Sequence, residues 1–135
     1  ISGNVGAGED TLMTYSLPAN ALSTDAKVLR ITVFGFTAAN ANSKTIKVYF
    51  GASVIGSWTS TASGISWRFE SVVIARAGTQ IASSSLLISG SGVNALQDVT
   101  TPSETLTAAV TIKITGEAVA TNDIQHYGTI IEALG

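Results

Sequence analysis

The chain has no cysteine and a single histidine among its 135 residues. No disulfide framework, thiolate metal site or cysteine nucleophile can be built from it, and a metal site made of several histidines is excluded within one chain. Charge is scarce as well: Asp, Glu, Lys and Arg make up 12% of the residues and leave a formal net charge of −2, where about 25% charged is usual. A field that weak does not hold a polyanion, so nucleic acid is not an expected partner. No apolar run approaches the roughly eighteen residues of a membrane helix, and no basic-then-apolar leader is present. Membrane insertion is not expected. The first residue is Ile1 rather than Met, so the sequence is expected to be a fragment or processed product of a longer polypeptide.

Helical spacing is missing too. No stretch repeats apolar residues at i, i+3, i+4 and i+7 for long, although "ANALSTDAK" has room for one short turn. Period two is what the chain carries. In "IKVYF", Ile46, Val48 and Phe50 share one face and Lys47 and Tyr49 the other; in "VTIKIT", Val110, Ile112 and Ile114 oppose Thr111, Lys113 and Thr115. Further strands are expected at Thr11–Leu17, Lys27–Thr37, Ala52–Thr59, Ile65–Arg76, Gln80–Ser89 and Ile124–Leu134, separated by turn-rich clusters such as "AANANSK", "TASG" and "RAGT". About eight antiparallel strands in one domain of this length predict an all-β, jelly-roll-like sandwich over residues 11–135, with residues 1–10 as a flexible lead-in.

That lead-in contains "GNVGAGED", whose glycines invite comparison with a phosphate loop. Phosphate loops need a following helix and a cation, and here Gly8 is followed by Glu9 and Asp10 and then by strand-like sequence. The same acidic pair is the nearest approach to a calcium loop, without the clustered oxygen ligands one requires. No metal or other cofactor is expected.

Two strands depart from clean alternation. In "KVLRITVFGF", Leu29, Ile31 and Val33 share a face while Val28, Phe34 and Phe36 are apolar on the other; in the last strand Ile130 and Leu134 oppose Tyr127, Ile131 and Ala133. A strand in a two-layer sandwich needs one buried face only. Val28, Phe34, Phe36, Tyr127 and Ile131 are therefore candidate contacts between identical subunits, with cover by the chain's own loops as the alternative.

Catalytic patterns are thin. His126 with Asp123 and the many serines lacks a Gly-x-Ser-x-Gly elbow, and the nine acids, among them Glu70 beside Arg68, are scattered rather than paired across a cleft as glycosidic cleavage requires. Aromatic stacking on sugars is the other route. Trp67 shares a face with Ile65, Phe69 and Val73 and is assigned to the core, whereas Trp58 and Tyr49 are expected to be exposed near a loop-rich edge. With Asn40, Asn42 and Ser43 of the "AANANSK" loop they make a candidate ligand site, although turn chemistry alone accounts for asparagines there.

The phrases "GNVGAGEDTLMTYSLPANAL", "AANANSKTIKVYFG" and "LTAAVTIKITGEA" together resemble a group of bacteriophage virion proteins, in which such domains occur in or at the end of tail-fibre or related structural polypeptides. The resemblance implies a non-enzymatic, homotrimeric tip or trimerisation domain on the phage particle, contacting a host-surface glycan or protein and other virion proteins. Capsid decoration, a purely structural module, and a polysaccharide-active tailspike domain with glycoside hydrolase activity are the alternatives it leaves open.

Overall fold

The computed structural model describes residues 1–23, 25, 27–89 and 96–134. Its elements are all strands: β1 (Ser2–Gly3), β2 (Gly8–Leu17), β3 (Val28–Thr37), β4 (Lys44–Phe50), β5 (Ser53–Ser60), β6 (Ser66–Arg76), β7 (Thr79–Ile88), β8 (Leu96–Thr100), β9 (Val110–Ala118) and β10 (Ile124–Leu134). They form two antiparallel sheets, a larger one ordered β1-β10-β3-β6-β7-β8 and a smaller one ordered β2-β9-β4-β5. Eight of these strands are those the alternation predicts. The two additional ones, β1 and β8, are short and carry no alternation long enough to count.

Pairing follows a nested scheme. β4 pairs with β5, β3 with β6, β2 with β9 and β1 with β10, like the rungs of one long hairpin wrapped into two layers, with β7 and β8 inserted between β6 and β9. Local turn chemistry sets the register. At the β6–β7 hairpin Ala77 and Gly78 both adopt positive φ, 48° and 77°, the geometry of a two-residue turn whose twist matches the strands. The strain of a left-handed alanine is offset there by Asp25, whose Oδ1 accepts the Ala77 N–H at 2.9 Å.

Alternate residues of both sheets meet in a shared core. Leu29, Ile31 and Val33 of β3 and Trp67, Phe69 and Val73 of β6 face Ile46, Val48 and Phe50 of β4 and Ile112 and Ile114 of β9, all buried. Each such side chain contributes about 1.5–3 kcal/mol of burial. Near the middle Ser71 and Ser84 sit among the apolar residues, 2.7 Å apart through their hydroxyls, and Ser84 Oγ donates to Ile55 O of the opposite sheet at 2.6 Å. Their polarity is thus matched where they are buried.

Residues 1–10, expected as a flexible lead-in, are docked instead. Ser2 and Gly3 pair with His126 and Gln125. Asn4, fully buried, donates through Nδ2 to Gly6 O and Ala120 O, and its Oδ1 accepts the Ile124 N–H at 2.9 Å. The glycine-rich loop then turns back on itself, with Gly6 and Gly8 at φ 63° and 116°, and Asp10 Oδ2 accepts the Val5 N–H at 2.7 Å. A side-chain carboxylate of the chain thus takes a loop donor of the kind a bound phosphate would use.

Candidate functional site

The ligand cluster expected from Trp58, Tyr49, Asn40, Asn42 and Ser43 does not assemble. Trp58 is only 8% exposed and belongs to the core. A register shift between Val48 and Tyr49 makes Ile55 an extra residue in β5, so Trp58 lies opposite inward-facing Ile46, while Tyr49 points outward from the same sheet. A bulge of that kind inverts the face assignment on one side of it.

Asn40 and Asn42 are consumed by a buried polar network. Their Nδ2 groups donate to the two oxygens of Asp123, at 2.6 and 2.9 Å, and the Ala120 N–H adds a third bond at 2.9 Å. Burial raises the Asp123 carboxyl pKa, but these three donors outweigh it and hold the group below its usual value. Lys44, also fully buried, donates from Nζ to Asn40 O, Asn40 Oδ1 and Asn42 O at 2.9, 3.0 and 2.9 Å. Asn40 therefore bridges a buried cation and a buried anion. Of the loop residues assigned to a ligand, Ser43 alone is exposed.

Tyr49 lies on the smaller sheet's outer face in a polar cluster. Its hydroxyl donates to Glu9 at 2.6 Å, Thr115 Oγ1 donates to the same carboxylate at 2.7 Å, and Lys47 stands 3.4 Å from Glu9. The Thr115 and Tyr49 hydrogen bonds draw the Glu9 pKa down, and the bond to Glu9 pushes the Tyr49 phenol up. Lys113 rests over the Tyr49 ring, 4.4 Å from its centre. Around them the face carries Thr45, Thr59, Thr111 and Ser57. Among the described residues, Val54 at the rim is the one exposed large aliphatic side chain within the four strands of this sheet.

The titratable candidates do not converge on a reacting centre. His126 is half-buried between the sheet edges, with Nε2 2.7 Å from Thr129 Oγ1 and Nδ1 3.3 Å from Ser2 Oγ; burial lowers its pKa. Asp123 is locked as described, and Glu70 pairs with Arg68 at 3.3 Å on an open sheet surface. Among the described residues no group of three or more His, Cys, Asp and Glu side chains is arranged to hold a metal ion.

The larger sheet presents a different outer face. Register places Leu134, Val28, Ile74 and Ile81 side by side across β10, β3, β6 and β7. Two residues along, Glu132, Arg30, Val72, Ser83 and Val99 form the next row, followed by Ile130, Thr32, Glu70 and Ser85, and then by Gly128, Phe34, Arg68 and Leu87. Among the described residues, seven of the twelve exposed large apolar side chains lie on this one face: Phe34, Ile81, Leu87, Val99, Tyr127, Ile130 and Leu134. Its lower part dips into a depression of about 580 Å³ bordered by Phe34, Arg68, Leu87, Tyr127 and Ile130.

Val28, Phe34 and Phe36 face outward as the alternation requires, with Phe36 half-covered near Gly64. The last strand reads differently from its simple alternation. The register shifts between His126 and Gly128, which makes Tyr127 an extra residue. Tyr127 joins Ile130 and Leu134 on the outer face, and Ile131 turns inward against the core, correcting its place among the candidate contacts. Ile74, Ile81, Leu87 and Val99 were not singled out from sequence. The adjacent pair Leu86 and Leu87, apolar on both sides of one strand, is the signal that marks β7 as belonging with β3.

No protein-family model matches the chain, and no curated protein is significantly similar to it.

Proposed function

We propose that this chain is a non-enzymatic component of a bacteriophage particle, a tail-fibre tip or trimerisation domain that works as one of several identical copies. The observation that carries the reading is the contrast between the two outer faces. Water-facing sheet surfaces are normally polar on both sides of a sandwich, and here the smaller sheet obeys that rule while the larger one gathers most of the exposed apolar side chains. An exposed apolar surface of that extent marks an interaction site. The nested hairpin pairing supports the jelly-roll-like reading of the sandwich, and the sequence resemblance supplies the phage origin.

With the larger sheet turned toward neighbouring copies, the smaller sheet faces away from the assembly. Tyr49, Lys113, Lys47 and Glu9 then stand on the surface left free for a host glycan, a host protein or another virion protein. Repetition of one shallow surface on a rigid head raises overall avidity without any new contact. The test has two parts: purified phage particles are probed with antibody to this chain, and the isolated protein is incubated with host cells and envelope polysaccharides. Labelling of particles together with cell retention, and no release of reducing ends, is the expected result. Absence from the particle, or steady release of reducing ends, refutes it.

A further inference from the structure

We infer that the open side of the sandwich, between the free edges of β10 and β2, is a docking groove for one extended segment of a partner polypeptide, which adds to β10 in line with β1 and sets apolar side chains into the gap between the sheets. Neither the outer faces nor the phage origin enters this inference.

The two sides of the sandwich differ. Along β5 the sheets are tied together: Ser84 Oγ of β7 reaches Ile55 O at 2.6 Å, and Gly56 and Trp58 of that edge strand are buried. Along β2 and β10 the side chains that register turns inward are left partly in water. Tyr15 stands opposite Ile112 and Ala133 opposite Leu29, both partners fully buried, yet Tyr15 is 42% exposed and Ala133 is exposed too. Between these edges lies a hollow of about 360 Å³ bordered by Met13, Thr14, Tyr15, His126, Thr129 and Ile131. Covering core-facing side chains left wet is favourable in proportion to the apolar area removed from water.

β10 also keeps an open backbone edge. β1 pairs with it only at Gln125 and His126, and among the described residues no strand follows on that side along residues 128–134, which pair regularly with β3. The Thr37 N–H of β3 bonds to Ile65 O, on the β6 side. Alternation therefore assigns the outward-facing pairs to the bonds between β3 and β10, and leaves the N–H and C=O of Thr129, Ile131 and Ala133 pointing to the free side. Edge strands are normally blunted by lysine, proline or a cover. This run has no lysine or proline, and its one charge, Glu132, is neutralised by Arg30.

β1 displays what fits. Ser2 pairs with His126 of β10 while its Oγ donates to Leu12 O of β2 at 2.7 Å, so a single strand spans the gap between the two edges. Ile1, next in line, is 94% exposed and lies outside the groove. A gap one strand wide admits an extended segment and not a folded second copy. No Asp, Glu, Lys or Arg borders the hollow among the described residues. The occupant is therefore a strand antiparallel to β10 with uncharged, apolar residues at alternate positions facing Met13, Tyr15 and Ile131; main-chain bonds supply the affinity and alternate side chains the specificity.

The probe is a capped synthetic peptide alternating threonine and valine, with a terminal lysine for solubility, titrated into the whole chain by calorimetry. Binding is expected below about 1 mM, with amide exchange at Thr129, Ile131 and Ala133 slowed about tenfold at saturation. Methylation of the valine amide nitrogens, which face β10, is expected to abolish binding; methylation of the threonine ones is not. Tyr15→Asp and Ala133→Asp, at exposed positions, are each expected to weaken binding at least about tenfold with unchanged far-ultraviolet circular dichroism, and Thr111→Asp, on the smaller sheet's outer face, to leave it as it is. Should an aspartate variant unfold, the two methylated peptides decide. No binding in that range overturns the inference, as does equal binding of a peptide with its valines grouped, or binding that survives valine methylation. Self-association that Ala133→Asp alone dissolves, without peptide binding, gives the edge to a second copy and overturns it as well.

Discussion

Replacing Lys44 by Met tests the polar network that fixes the "AANANSK" loop to the β9–β10 turn. Methionine keeps the length and volume of the side chain but removes the cation. Three backbone and amide oxygens, Asn40 O, Asn40 Oδ1 and Asn42 O, lose their donor, and the buried Asp123 carboxylate loses the positive charge beside it. A buried acceptor left without its donor costs about 1–3 kcal/mol, so for these three oxygens, with some relaxation around them, the loss is about 3–5 kcal/mol. At about 2.1 cal/mol/K of unfolding entropy per residue, the 135 residues convert this to a fall in Tm of roughly 10–18 °C. Calorimetry at one fixed protein concentration is the assay, since association shifts Tm by itself. The double variant Lys44→Met/Asp123→Asn should cost less than the sum of the two single changes, because both act on one network through Asn40. A Tm within about 3 °C of wild type for Lys44→Met, on the same conversion, would refute the network as a source of stability.

Trp58→Ala removes a core residue and should destabilise by about 3–5 kcal/mol, read by urea denaturation; wild-type stability combined with lost cell retention would return Trp58 to a ligand site. Gly35→Ala drives a methyl group into Gln125 O and the Trp67 ring and should cost at least about 1–3 kcal/mol, seen as a lower urea midpoint. His126, lowered by burial from its usual 6.5, should give stability that is full above pH 6.5 and declines as pH falls from there toward its folded value, because the unfolded chain binds the proton first. In His126→Gln that part of the pH profile should be flat. Asp123 acts at lower pH: its folded pKa lies below the usual 3.8, so its contribution is complete above 3.8 and is lost as pH drops through the folded value. Unfolding midpoints measured across both windows, with Asp123→Asn as the control for the acid one, check the two assignments.

The strands were legible because alternation is a property of the chain alone. "VTIKIT" and "IKVYF" state their buried faces outright, and the "RAGT" turn announces a hairpin. Less was readable at the N-terminus. Glycine spacing in "GNVGAGED" describes a flexible segment equally well as a turn, and what decides between them is Asn4, whose partners at Ala120 and Ile124 are more than a hundred residues away in sequence. Asn40 and Asn42 mislead for the same reason. An asparagine in a loop is a surface residue until a distant carboxylate, here Asp123, is brought over it.

The remaining errors share one cause, and it bears directly on the proposed interface. Period-two reading assumes that every residue advances the face by one step, but β5 gains Ile55 and β10 gains Tyr127, so beyond each bulge inward and outward exchange. In β5 the exchange sends Trp58 into the core; in β10 it sends Ile131 inward and gathers Tyr127, Ile130 and Leu134 on the outside. The second exchange has the larger consequence. Without it Tyr127 and Ile131 would share a face and the β10 margin would be split between core and solvent. With it, the margin is apolar from Tyr127 to Leu134 apart from the Arg30-paired Glu132, and stands at the same levels as Ile81 and Leu87 across the sheet. Tyr127 has no partner on β3, so deleting it leaves His126–Gly35 and Gly128–Phe34 as consecutive pairs: Ile130 and Leu134 should keep their levels and their outward face, association followed by light scattering should weaken only by the loss of the Tyr127 side chain, and an Ile130 or Leu134 that turns inward would refute this account of the bulge.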